Sequence, residues 1–346
     1  MPTQLQRVVA LCRLKEPMVY EPELLERDFP FLVANGVAPW CFYQLKQAER
    51  HNVDPSVLAL FRQSYMAQLV RHGRLTHTYK QVGVLFRQAA LPMVALKGMA
   101  LANHVYPDGA LRPMGDIDVL VPEGKGADAI ALLKTLGASE AVVPRSALHE
   151  QTSAHMRAMQ LDGVLIEVHQ RLFALGSAWN VPLRRVISEA GMGQGPVDVL
   201  PDVWFGYHLA AHACYGYQMG GMRLGWLLDL ALLMDRQPDP AGFVRQVMAL
   251  NVRFRNELAD VWAWADLLRH PDVEWPVSFP PLAAFRQPDG IKKNHRWINI
   301  GNIWMTPGIG NKLHLFFREL FPCNDYMRFR YGRTGIGTRL RRFRLR

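Results

Sequence analysis

Arg112-Pro113-Met114-Gly115-Asp116-Ile117-Asp118-Val119-Leu120-Val121 is the stretch on which the fold turns. Two carboxylates alternate with apolar residues and run into an uninterrupted apolar segment, the pattern of a strand that leads into a core. Side chains alternate faces along a strand, so Asp116 and Asp118 point the same way and can grip one cation together. Two like charges at the mouth of a buried strand cost desolvation and repulsion unless a cation or donors offset them. Mg²⁺ is the species this pattern asks for, because a hard divalent cation takes oxygen ligands and keeps positions for water or substrate phosphates. A plainer reading stays open beside it, in which Asp116 caps a turn and Asp118 is a solvated edge residue.

The flanking segments narrow the choice. Residues 91–96, Leu-Pro-Met-Val-Ala-Leu, read as a short buried strand ending at Lys97-Gly98, and Met99 to about Tyr106 reads as a helix. A glycine after a strand lets the chain turn into a helix whose amino end presents unpaired N–H groups, and Lys97 adds an ammonium there. Lys97, Gly98 and Arg112 therefore predict an anion site beside the cation site, the layout a metal-bound triphosphate needs. Downstream, residues 155–160 and 164–169 flank Leu161-Asp162-Gly163 and read as a hairpin with an Asp-Gly turn. Period two puts Leu165, Glu167 and His169 on one face of the second strand. An acid in so apolar a strand needs a reason. Glu167 reads either as a third carboxylate, completing a one- or two-ion metal site or serving as base for an incoming hydroxyl, or as a cross-strand partner of Arg157 or a neighbouring residue.

Taken in order, Leu96-Lys97-Gly98, Tyr106, Arg112, Asp116-Ile117-Asp118 and Ile166-Glu167-Val168-His169 resemble the uncharacterised bacterial nucleotidyltransferase family of the DNA polymerase beta-like superfamily. Residues 208–212 and Arg223-Leu224-Gly225-Trp226-Leu227-Leu228-Asp229-Leu230 resemble that family's helical second half. The resemblance implies an α+β fold, a small mixed sheet flanked by helices, with an amino-terminal helical region and a carboxy-terminal helical lobe. It implies Asp116, Asp118 and Glu167 as the catalytic, metal-binding acids, and Lys97, Gly98, Arg112 and His169 as nucleotide-binding residues. It implies nucleotidyl transfer from an NTP, ATP among them, to a saccharide, peptide or small-molecule acceptor. The chain departs from the superfamily in two places: Lys97-Gly98 stands where a Gly-Ser pair is usual, and the third acid is Glu rather than Asp. Phosphoryl or glycosyl transfer from a nucleotide-linked donor, or nucleotide or polyanion binding without chemistry, are the alternatives at the same site.

Composition sets the outer limits. At 346 residues and 49% apolar, the chain can bury a sizeable core, and no charge-free run reaches bilayer length. The first twenty residues lack the block of a signal peptide, so a cytoplasmic protein is expected. Cys12, Cys41, Cys214 and Cys323 are scattered without metal spacing and read as reduced packing residues. Much of the +10 net charge sits at one end: residues 328–346 carry eight Arg and no acid, with Phe329, Tyr331, Leu340, Phe343 and Leu345 interleaved. That tail suits a polyanion such as RNA or a glycan, or an anionic membrane surface; equally it can be a solvated tail. The expected organisation is a helical region over 1–90, a catalytic core over 91–190, a helical lobe over 196–320 and a basic tail over 328–346. Breaks are expected near Pro30, Gly36 to Pro39 and Pro55, a long helix over 64–88, and a loop over 191–196. His208 and His212, spaced i, i+4, share a helical face and read as packed histidines in preference to a metal pair.

Overall fold

The structure, a computed structural model, describes residues 2–18, 21–47, 53–189, 199–289, 295–335 and 337. The fold is α+β: one mixed five-stranded sheet with helices before and after it in the chain. Contacts divide the chain into two compact units, Met1–Thr76 with Leu96–Met114 and Val199–Asn294, and His77–Ala95 with Gly115–Asp198 and His295–Arg346. The expected loop at 191–196 and most of the basic tail lie outside the described residues.

The second unit holds the whole sheet. Its strands are β1 (Val94–Ala95), β2 (Asp116–Leu120), β3 (Ser139–Glu140), β4 (Met159–Leu161) and β5 (Val164–His169), in the spatial order β1-β2-β5-β4-β3. β2 and β5 run parallel, and every other neighbouring pair is antiparallel. Ile117, Val119, Ile166 and Val168 are fully buried and form one face of the central pair. The helix Gly126–Thr135, which follows β2, buries Ala129, Ile130 and Leu133 and packs on β5. A Cβ on Gly126 would lie 2.7 Å from the Met156 sulfur, so close approach explains the glycine there. The hairpin turn is the expected one: Asp162 and Gly163 have φ of 50° and 79°, the two left-handed residues that match the twist of paired strands.

The first arm of that hairpin is shorter than its sequence suggests. Met159–Leu161 is the ladder, and His155 returns only as an isolated bridge to His169. Between them Glu150 takes the Arg157 backbone N–H at 2.8 Å and its Nε and Nη2 at 2.9 Å, while Nη1 reaches Glu140 at 2.8 Å. The Glu140 carboxyl is held below its ordinary value of 4.5 by the Lys134 hydrogen bond first, then by Arg157. Burial pushes the Glu150 carboxyl up, but the Arg157 donors outweigh it, and the net shift from 4.5 is also down. Groups with depressed folded values contribute stability above their unfolded values and lose it as pH falls through the folded ones. Stability of the wild-type protein is therefore expected to fall below about pH 4.5. In Arg157→Ala, neutral-pH stability drops and the acid slope flattens; acid titration followed by circular dichroism measures both, and an unchanged slope would remove this network from the account.

The regular elements of the first unit, among its described residues, are helices. Thr3 and Gln6 close a capping box on the helix Gln4–Leu11. The expected break near Pro30 does not occur: Pro22–Ala34 is one helix with Pro30 inside, its lost bond offset by burial of neighbouring Phe31 and Leu32. The break expected from Gly36 is there, at Asn35, left-handed Gly36 and Val37, and the next helix, Ala38–Gln47, opens with Pro39 already inside it. The long helix is Pro55–Gln88, earlier in its start than the periodicity suggests, because Asp54 caps it and proline suits the first helical position. It runs through the boundary between the units, Thr76 in one and His77 in the other. The helices Asp202–Gln218, Leu224–Asp235, Pro240–Ala249 and Arg255–Asp266 pack against one another as an apolar lobe. No helix among the described residues is long and apolar enough to cross a membrane.

Candidate active site

Parallel pairing of β2 with β5 builds the acidic cluster. The register sets Asp116 opposite Leu165, Asp118 opposite Glu167 and Leu120 opposite His169, so both acids of β2 share a face with Glu167 and His169. The His169 Nε2 lies 2.8 Å from Asp118 Oδ1 and 3.9 Å from Glu167 Oε2. Asp118 and His169 are buried; Glu167 and Asp116 are half-buried. One ligand atom each from Asp118, Glu167 and His169 lies within 4.8 Å of the others, the group among the described residues able to hold a metal ion. Two carboxylates and an imidazole are a donor set that fits a divalent cation. Arg157 is not the cross-strand partner of Glu167, because it is bound to Glu150 and Glu140.

His155 joins this face, and the sequence reading missed it. From Met159 back to His155 the chain takes four steps, while β5 takes three from Ile166 to His169. The extra residue is a bulge. In an unbroken ladder Met156 would stand opposite His169, and His155 would face the other way. With the bulge, the His155 ring lies 5.5 Å from that of His169, and its Nε2 is 3.8 Å from Glu167 Oε2. His155 Nδ1 is 2.7 Å from the Met156 carbonyl oxygen, which can only accept, so Nδ1 carries the proton and the neutral ring keeps its lone pair on Nε2.

The other expected residues belong to the first unit. Lys97 opens the helix Lys97–His104 with φ of 41°, so the left-handed residue of this turn is Lys97 rather than Gly98. Gly98 serves close packing instead: a Cβ there would lie 3.1 Å from Arg112 Nη1 and from Met114 Cβ. Arg112 donates through Nε and Nη2 to Asp229 at 3.3 and 2.9 Å, and through Nη1 to the Pro113 carbonyl at 3.1 Å. The Tyr106 hydroxyl donates to Asp229 at 2.8 Å, and burial, then the Asp229 charge, push that phenol well above its ordinary range. Asp229 thus has Arg112 and Tyr106 as its partners. Arg223 lies over the Trp226 ring at 5.6 Å. Trp226 is half-buried against Gly216 and 4.8 Å from the His212 ring.

The sequence model of the uncharacterised nucleotidyltransferase family matches residues 29–259. The chain belongs to that family. The matched span includes Lys97, Arg112, Asp116, Asp118, Glu167, His169 and Asp229, and it stops before the helices that follow residue 259. Among solved structures, the solution structure of the antibiotic-resistance factor ANT(2'')-Ia is similar at 14% identity and a TM-score of 0.35, covering 54% of this chain and 94% of that one. No curated protein matches the sequence. Membership makes this protein a transferase of the nucleotidyltransferase kind, and the cluster of Asp118, Glu167 and His169 is where its chain offers metal ligands.

Proposed function

We propose that this nucleotidyltransferase moves a nucleoside monophosphate from a nucleoside triphosphate, ATP among the candidates, to a hydroxyl of a saccharide, peptide or small-molecule acceptor, with Mg²⁺ as cofactor. The observation that supports it best is the convergence of Asp118, Glu167 and His169 at one end of the parallel pair. In the reaction an acceptor oxygen bonds the α-phosphorus, the bond to the bridging oxygen breaks, and pyrophosphate leaves with that electron pair. Asp116, Asp118 and Glu167 would hold the cation, which when bound supplies charge neutralisation for the phosphates. His169 holds the Asp118 carboxylate in place through Nε2, and the acceptor proton passes to a Glu167 oxygen. The role given to Lys97 and the amides after Gly98 is binding of the leaving phosphates, with Arg112 steadying a phosphate oxygen.

Calorimetric titration of ATP, GTP, CTP and UTP with and without Mg²⁺ tests the reading. Binding of one nucleotide that depends on Mg²⁺ is expected, and failure of all four to bind would overturn it. The strained backbone at Lys97 adds a separate prediction. Lys97→Ala and Lys97→Gly both remove the ammonium and are expected to weaken nucleotide binding alike. Only the glycine relieves the left-handed φ, so it should be the more stable variant by about 1 kcal/mol. Equal urea midpoints for the two would show that Lys97 carries no strain.

A further inference from the structure

The helix Ile309–Leu320 of the second unit turns its apolar side outward. Ile309, Leu313, Phe316 and Phe317, spaced as one helical face, are 77%, 66%, 49% and 53% exposed, while Leu315 is buried. The preceding helix, His295–Met305, extends the patch with Trp304, 73% exposed, and the Lys312 ammonium sits 5.3 Å from that indole ring. This is no loose end of chain. Leu315 packs inward, Glu319 pairs with Arg145, and the Cys323 N–H donates to the Arg145 carbonyl at 3.0 Å. A contiguous exposed apolar face of this kind marks an interaction surface.

The charge around it identifies the occupant. Lys312, over the Trp304 ring, and Arg318, over the Phe317 ring, border the apolar face, and Arg328, Arg330 and Arg333 in the stretch that follows are exposed. RNA or a glycan would engage the arginines and leave the aliphatic and aromatic side chains in water. A second copy of the helix would bury those side chains and set like charges together. An anionic lipid surface satisfies both, taking the apolar face among the acyl chains and the cations among the headgroups. We propose that the helix Ile309–Leu320, with Arg328, Arg330 and Arg333 after it, docks this enzyme on an anionic membrane surface.

Vesicle flotation of the full chain tests the proposal, using phosphatidylcholine vesicles with and without phosphatidylglycerol. The protein is expected to float with the anionic vesicles only and to be released by high salt. Two variants divide the contributions: Leu313→Ser with Phe317→Ser, and Arg328, Arg330 and Arg333 all replaced by Gln. Each should lower the bound fraction by about tenfold or more, with melting temperature unchanged because all five replaced side chains are exposed. Absence of flotation with anionic vesicles overturns the proposal. So does undiminished flotation of the Leu313→Ser, Phe317→Ser variant, which would assign binding to the arginines alone. A wild-type dimer in light scattering that this variant dissociates would assign the face to a second copy and overturn it as well.

Discussion

Asp118→Asn is expected to abolish the cation-dependent rise in melting temperature and to lower nucleotidyl transfer by about 10³-fold or more, while the metal-free protein melts no lower than wild type. Asn keeps the shape of Asp and an oxygen that accepts from His169 Nε2, now 2.8 Å away. What it removes is one of two like charges set directly opposite on adjacent strands, Asp118 and Glu167. Such a pair destabilises a sheet until a counter-charge arrives. The same charge that costs stability in the metal-free protein therefore supplies cation affinity. Thermal melts in chelator, Mg²⁺ and Mn²⁺ read the two effects apart. A wild-type Mg²⁺ response in the Asn variant would remove Asp118 from the metal site, whatever happens to activity.

Asp229→Ala carries the largest expected loss of stability, about 3–5 kcal/mol. Its buried carboxylate accepts from Arg112 Nε and Nη2 and from the Tyr106 hydroxyl. Without it, a guanidinium only 15% exposed and a buried phenol lose their shared partner. Breaking one half of a buried pair costs more than replacing both halves by apolar groups of similar volume, because the orphaned charge is the expensive part. The double replacement Asp229→Leu with Arg112→Met is accordingly expected to cost less than Asp229→Ala alone. Urea denaturation followed by tryptophan fluorescence compares them, and a single-variant loss below about 1 kcal/mol would show the pair to be no stronger than a surface ion pair.

The sheet was legible because its cues are local. Alternation in Asp116-Ile117-Asp118-Val119-Leu120, the apolar run of residues 164–169 and the Asp-Gly turn each act within a few residues of chain. Pro30 misled because the rule against proline in helices is also local, whereas the burial of Phe31 and Leu32 that outweighs it is tertiary. Lys97 misled in a similar way: glycine is the usual left-handed residue, but the space beside Arg112 and Met114 needed Gly98 for a different purpose.

By itself the sequence determined four of the five strands, all but the two-residue β3, which face of β2 carries the acids, and membership of a nucleotidyltransferase family, all consequences of side-chain order and spacing. Tertiary structure alone decided three things: the parallel register that sets Asp118 opposite Glu167, the pairing of Arg112 with Asp229, and the arrival of His155 beside His169. The last depends on one extra residue in a hairpin arm, held out by Glu150 through the Arg157 N–H. Face in a strand has a period of two, so one inserted residue reverses it. No periodicity shows that insertion, because its cause is a carboxylate brought in by the fold.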